Sequence, residues 1–162
     1  MNEATVRFDV TAAVICDEIR REDNGKFLLI GVFSEGISVP AFPTTVNLSV
    51  LLVGIGSAHG AARLYVQVES VDGNSLHVGM ELGITFAETF ERQVQCLPLP
   101  PIALLVTKST KFVISARSTP DSEWQPIRTF PVNKQPEGPM TFFGVPIEER
   151  QQPSGQSPLG AS

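Results

Sequence analysis

The sequence predicts an all-β protein: a single antiparallel β-sandwich, immunoglobulin-like or C2-like, over residues 1–134, with a flexible tail over 135–162. Three observations predict it. Asn24-Gly25 stands between the apolar runs 10–15 and 27–33. That dipeptide is the strongest short-range hairpin signal, because a type I′ turn needs positive φ at both central residues. Apolar side chains recur at every second position through most of the chain, the period of a strand with one buried face. Beyond residue 133 the composition shifts to Pro, Gly, Ser and Gln, which cannot bury enough apolar area to offset the entropy of ordering.

The elements follow in chain order. Val6, Phe8 and Val10 alternate with Arg7 and Asp9. Residues 12–16 are then apolar on both faces, as in a central strand covered on both sides. Polar residues 17–22 carry the strand outward to the Asn-Gly turn. The return run, 27–33, is again apolar on both faces, and Gly31 inside it signals a bulge or a close backbone approach. Pro40 and Pro43 mark an edge or loop, since proline cannot donate to a ladder.

Residues 44–55 alternate most cleanly, with Val46, Leu48, Val50 and Leu52 on one face. Residues 54–60 read as a loop. Leu64, Val66 and Val68 then share a face, and Asp72-Gly73-Asn74 is a second tight turn leading to Leu76, Val78, Met80, Leu82, Ile84 and Phe86. Residues 87–93 have helix propensity but are too few to hold a helix alone. The Pro-rich connection 97–101 leads to apolar runs at 102–106 and 112–114. After a turn at 118–122 the last strand pattern carries Trp124, Ile127, Phe130 and Val132, with Trp124 plugging the core. This makes eight to ten short strands and no repeat. Each well-buried Val, Leu, Ile or Phe stabilises by about 1.5–3 kcal/mol, so the core needs no metal or ligand to form.

Composition narrows the function classes. The chain has 12 Lys and Arg against 17 Asp and Glu, a net charge of −5. Its only basic doublet, Arg20-Arg21, is flanked by Asp17, Glu18, Glu22 and Asp23. Nucleic-acid binding needs a clustered basic face, and anionic lipid attracts positive charge, so neither partner is predicted. Residues 1–5 lack the basic and apolar regions of a secretory signal, and no apolar run reaches the roughly 18 residues of a membrane helix. The expectation is a cytoplasmic protein whose two cysteines, Cys16 and Cys96, are free, buried and inert in apolar strands. The residues specify no oligomeric state.

No constellation of residues specifies catalysis or a cofactor. His59 and His77 lack the further ligands a metal needs. Residues 54–60 place glycines after a strand, but the spacing is not that of a phosphate loop and a strand, not a helix, follows. Asp17, Glu18, Asp23, Asp72, Asp121 and Glu123 lie near turns without the Asp-x-Asp pairing of a calcium tip, and turn preference accounts for Asp23 and Asp72. There is no Gly-x-Ser-x-Gly elbow and no cysteine with a placed histidine. The catalytic, cofactor and metal assignments are therefore none. One feature points outward. Phe142, Phe143, Val145 and Ile147 form an apolar island in the polar tail. Such an island docks on a partner by strand addition or in a groove, or packs back on its own sheet edge.

Residues 14–43 carry Cys16-Asp17, Asn24-Gly25-Lys26, Leu29-Ile30-Gly31-Val32-Phe33 and Phe42-Pro43. In this the chain resembles a family of small bacterial β-sandwich proteins with no assigned activity, and the resemblance extends over residues 5–133. It implies the fold and a bacterial cytoplasmic setting, and supplies no functional residue. The function expected is a non-catalytic binding or scaffold module that engages a protein partner. The alternatives are a small hydrolase with a site in the end loops, or a calcium-dependent membrane-binding module.

Overall fold

The computed structural model describes residues 8–56, 60–72, 78–86 and 93–136, and the main chain of 141–142 and 145–146. The period-two pattern folds as strands, and no helix occurs among the described residues. The longest strand is β5 (Thr44–Gly56), and the first sheet is built around it. On one side lies β1 (Phe8–Cys16), antiparallel, from Phe8 opposite Gly56 to Cys16 opposite Ser49. On the other side lies β8 (Gln93–Pro98), followed along the same edge by β9 (Ile102–Val106). Leu99 N–H donates to Val50 O between them at 2.8 Å, so β8 and β9 act as one long strand interrupted by Pro98, Pro100 and Pro101.

The second sheet has five strands: β4 (Ile37–Val39), β11 (Gln125–Lys134), β10 (Thr110–Arg117), β6 (Gly60–Ser70) and β7 (Val78–Phe86), in that order. Its pairs are antiparallel except β4–β11, which is parallel from Ile37–Val132 to Val39–Lys134. This departs from the purely antiparallel expectation. Parallel neighbours need a long connection, and β4 and β11 are joined by most of the chain.

Alternation decides which side chains are buried. Val46, Leu48, Val50 and Leu52 of β5 lie in one apolar cluster with Leu64, Val66 and Val68 of β6, Phe112 and Ile114 of β10, and Phe130 and Val132 of β11. Val50, Leu52, Val66, Val68, Phe112 and Ile114 have no exposure at all. Phe8 of β1 meets Phe86 of β7 with ring centroids 5.8 Å apart, a contact between the sheets, while Phe112 and Phe130 stack across neighbouring strands at 5.7 Å. The shift in β1 at Thr11 is a bulge: the ladder steps between Val10 and Ala12, and the Thr11 hydroxyl donates to Val53 O at 3.1 Å.

The first hairpin pairs β2 (Glu18–Arg21) with β3 (Phe27–Ile30) as a separate two-stranded sheet. Its turn differs from the expected type I′. Gly25 N–H donates to Glu22 O and Glu22 N–H to Lys26 O, both at 2.9 Å. Gly25 alone takes the left-handed position, at φ 82°. The loop thus has three residues, Asp23, Asn24 and Gly25, closing on a glycine bulge. Asn24 contributes its side chain instead: Oδ1 accepts from Lys26 N–H at 2.9 Å.

The run 27–33 is not one buried strand. It ends as β3 at Ile30, and Gly31 turns the chain at φ 66°, where a side chain would overlap Asp17. Asp17 N–H reaches Ile30 O and Gly31 O, and Phe33 N–H returns to Ile15 O. Leu28, Ile30 and Val32 are exposed, contrary to the expectation of cover on both faces.

Two further segments, β12 (Thr141–Phe142) and β13 (Val145–Pro146), pair with each other. The turn expected at 72–74 and the segment 87–92 fall largely outside the described residues, as does most of the tail.

The register of β9 is testable by one neighbouring pair. Leu104 is 1% exposed and Leu105 53%. Leu104→Ala should lower unfolding free energy by about 2–5 kcal/mol, and Leu105→Ala should change it by less than about 0.5 kcal/mol. Denaturant melts of the two variants check this, and equal losses would refute the register.

Candidate functional site

The hairpin β2–β3 lies against the outer face of the first sheet. Along β5, Val50 and Leu52 point into the core, so Leu51 points out, yet only 5% of it is exposed. Leu51, Phe27 and Leu29 line a shallow cleft of about 550 Å³ with Val94 and Cys96 of β8. A second cleft of about 410 Å³ adjoins it, lined by Ile19, Arg21, Phe27, Cys96, Leu97 and Pro98. The two share Gly25, Phe27 and Cys96 and form one continuous apolar groove. Among the described residues its charged lining is cationic, Lys26 and Arg21. Strand alternation explains the arrangement: Phe27 and Leu29 face the sheet, half-buried, and Leu28 and Ile30 face solvent. Val94 beside the groove is 71% exposed. Apolar side chains concentrated on both faces of one short hairpin are an exposed patch of the kind that marks interaction surfaces.

The two cysteines lie on opposite sides of β5, Cys16 opposite Ser49 and Cys96 opposite Val53. Two strand spacings of about 4.8 Å and four residues of about 3.4 Å separate them, beyond disulfide reach. Both are free thiols. Cys16 is fully buried, and its Sγ lies 3.5 Å from Glu18 O and 3.6 Å from Ser49 O. Burial pushes its pKa up, and the charge of Asp17 adds to the effect. Cys96 departs from the expectation of a buried thiol: it is exposed at the groove, because outward positions on β8 have no sheet above them beyond the hairpin.

A second cluster sits at one end of β10. The Arg117 guanidinium lies 4.3 Å from the Trp124 ring centroid and 5.7 Å from that of Tyr65. Nη1 of Arg117 donates to Ser122 O at 3.5 Å, whereas its buried Nε meets no acceptor among the described residues. A cavity of about 100 Å³ beside it is lined by Asp9, Ser118, Ser122, Glu123 and Gln125 among others. With one guanidinium and two carboxylates around a space for a few waters, the cluster holds the 118–124 turn in place. Ser122 closes that turn on Thr119, with N–H and hydroxyl to Thr119 O at 3.3 and 2.9 Å. Trp124 is therefore not a core plug. It is half-buried outside the apolar cluster and serves as the floor for Arg117.

The remaining sequence candidates divide cleanly. Phe142 and Val145 are opposite each other in β12–β13, and Phe143 and Ile147 lie outside the described residues, as do His59 and His77. Gly54 and Gly56 belong to β5 rather than to a loop. A side chain at Gly54 would overlap the Phe8 ring, and one at Gly56 the Phe86 ring, so tight sheet packing accounts for both. Asp72 accepts from the Ser70 hydroxyl and pairs with Lys108 at 3.0 Å. Glu18 pairs with Arg20 at 2.7 Å, which holds its carboxyl below the usual range. Among the described residues no three of His, Cys, Asp and Glu gather as a metal site, and no helix is long and apolar enough to cross a membrane. The groove itself is not legible in the sequence; its one signal is the doubly apolar run 27–33, in a hairpin too short to bury both faces.

Two measurements follow from this geometry. Iodoacetamide at neutral pH should alkylate Cys96 and leave Cys16 untouched until denaturant opens the fold; equal labelling rates would contradict the burial of Cys16. Arg117→Ala should shift the emission of the single tryptophan, Trp124, to the red and cost about 1–2 kcal/mol. An unchanged spectrum would show that the stack does not form.

Comparison with known proteins adds the family. No curated protein matches the chain. A family model described as a family of unknown function, DUF6941, matches residues 11–120, which span the groove and the Arg117 stack apart from Trp124. Over that length the match covers most of the chain, and the protein belongs to this family of unknown function.

Proposed function

We propose that the chain is a non-catalytic binding or scaffold module that engages a protein partner through the groove between hairpin β2–β3 and β8. The observation that carries this is the groove's chemistry: Phe27, Leu29, Leu51 and Val94 form an apolar lining, with Lys26 and Arg21 as its charges among the described residues. It suits an apolar protein segment bearing a carboxylate that pairs with one of these cations. The tail residues Phe142, Phe143, Val145 and Ile147 form a second contact element in the same reading. In this reading the two larger sheets face each other as one sandwich, supported by the single apolar cluster to which both contribute. The setting is the reducing cytoplasm, supported by two free thiols, one of them exposed. The partner is neither nucleic acid nor an anionic membrane, in keeping with a net charge of −5, and no cofactor is involved.

The test compares three forms of the protein in affinity capture from its native cell: the full chain, a chain ending at Lys134, and Val94→Glu. Val94 is exposed, so the charge should leave folding intact while placing a carboxylate in the apolar lining, where it competes with the partner's own carboxylate for Lys26. The Val94→Glu protein should lose captured proteins that the wild type retains, and the shortened chain should lose those held by the tail. Identical recovery by all three forms would overturn the proposal.

A further inference from the structure

The two larger sheets have four outer edges among the described residues, and three of them carry features that block further pairing. β4 has three residues and is followed by Pro40 and Pro43. β1 is bulged at Thr11, and its Ile15 carbonyl is taken by Phe33 N–H. The β8–β9 edge is broken by Pro98, Pro100 and Pro101. Natural sheets use such short strands, bulges and prolines to prevent edge-to-edge association. The fourth edge, β7, has none. It runs nine residues without proline or lysine, and its ladder with β6 continues from Gly60–Phe86 to Val68–Val78 without a register shift.

The side chains of β7 are also arranged for an added strand. On the core side, Val78, Met80 and Leu82 pack against the apolar cluster but are only half-buried, and among the described residues no strand covers the core at this edge. On the solvent side, Gly79 and Gly83 are open: a Cβ at either would meet nothing within 4 Å. The one charge, Glu81, leans back to Arg63 of β6 at 3.1 Å.

We propose that β7 pairs antiparallel with β7 of a second copy of this chain, joining the two five-stranded sheets across a two-fold axis at Leu82. Charge and register select this occupant. Residues opposite each other must lie on the same face, so register can slide only in steps that preserve parity. Centring on Leu82 is the register that pairs all nine residues, with Val78 opposite Phe86 and Met80 opposite Ile84 of the second copy. The same register places Glu81 opposite Gly83 of the second copy, so no like charges meet. Centring one residue earlier would set Glu81 against Glu81. Full pairing supplies about eight to ten main-chain hydrogen bonds and covers the half-exposed core residues.

Sedimentation velocity and native mass spectrometry on the full chain test this with two variants. Gly83→Glu sets a carboxylate opposite Glu81 of the other copy at both symmetric positions; a Cβ there meets nothing within 4 Å, and Arg63 lies across the ladder within the same chain. The substitution should weaken dimerisation by about tenfold. The double variant E81K/G83E sets an ammonium at position 81 opposite the new carboxylate at position 83 of the other copy. It should restore association to near the wild-type level. Unfolding melts on both variants confirm that each chain still folds. A wild-type chain that stays monomeric up to about 1 mM, a dimer indifferent to Gly83→Glu, or a double variant that associates no better than the single one would each overturn the proposal.

Discussion

The burial of β5 is the constraint from which the rest follows. Its residues 49–56 are paired on one side by β1, its other side is paired by β8 and β9, and its inward side chains centre the apolar cluster. A strand so placed leaves no backbone donor or acceptor for water where both sides are paired, so partners there must be continuous. This accounts for the way β8 and β9 follow one edge despite three prolines, and for the Leu99 N–H that bridges to Val50 O where the ladder would otherwise lapse. It also fixes the outer face. Leu51 must point away from the core, and an apolar residue there needs a cover. The hairpin that continues β1 supplies it.

That hairpin is where local pattern and tertiary need separate. Wherever one face of a strand is buried, period two reads out directly, and the alternations at 44–52 and 64–68 correspond to β5 and β6 with the same faces inward. The run 27–33 has no such contrast. Apolar residues at successive positions look alike whether a strand is central or is a short flap with one side against a sheet and the other against water. Gly31 is the informative residue: its left-handed backbone ends β3 and lets Asp17 lie across it. The parallel β4–β11 pair is invisible in the sequence for a different reason, since its partners are joined by no turn whose residues could announce it.

The legibility of the candidate surfaces has the same physical limit. A turn is written in a few adjacent residues, and the Asn24-Gly25 hairpin is legible even though its loop is one residue longer than a type I′ turn. A groove is assembled from side chains distant in sequence. Leu51, Phe27 and Cys96 come together only because three strands converge, and nothing local distinguishes Cys96, exposed beside Val94, from Cys16, buried against Ser49. Trp124 shows the converse error. A lone tryptophan suggests a core anchor by size, but the arginine that it receives lies seven residues upstream on β10, and that pairing outweighs burial.

The groove and the β7 edge belong to different sheets and share no residue. Use of one therefore does not obstruct use of the other, and a pair of chains joined at β7 would present two grooves in fixed relation. For a partner bearing two apolar segments, the second engagement then becomes intramolecular, and the gain in affinity depends on the spacing of the grooves rather than on new contacts. A shallow groove with few charges to orient a ligand would gain most from such coupling, since weak single-site binding is what a second engagement reinforces. An undefended edge beside an otherwise well-defended set of strands is then consistent with a module whose binding strength comes from assembly.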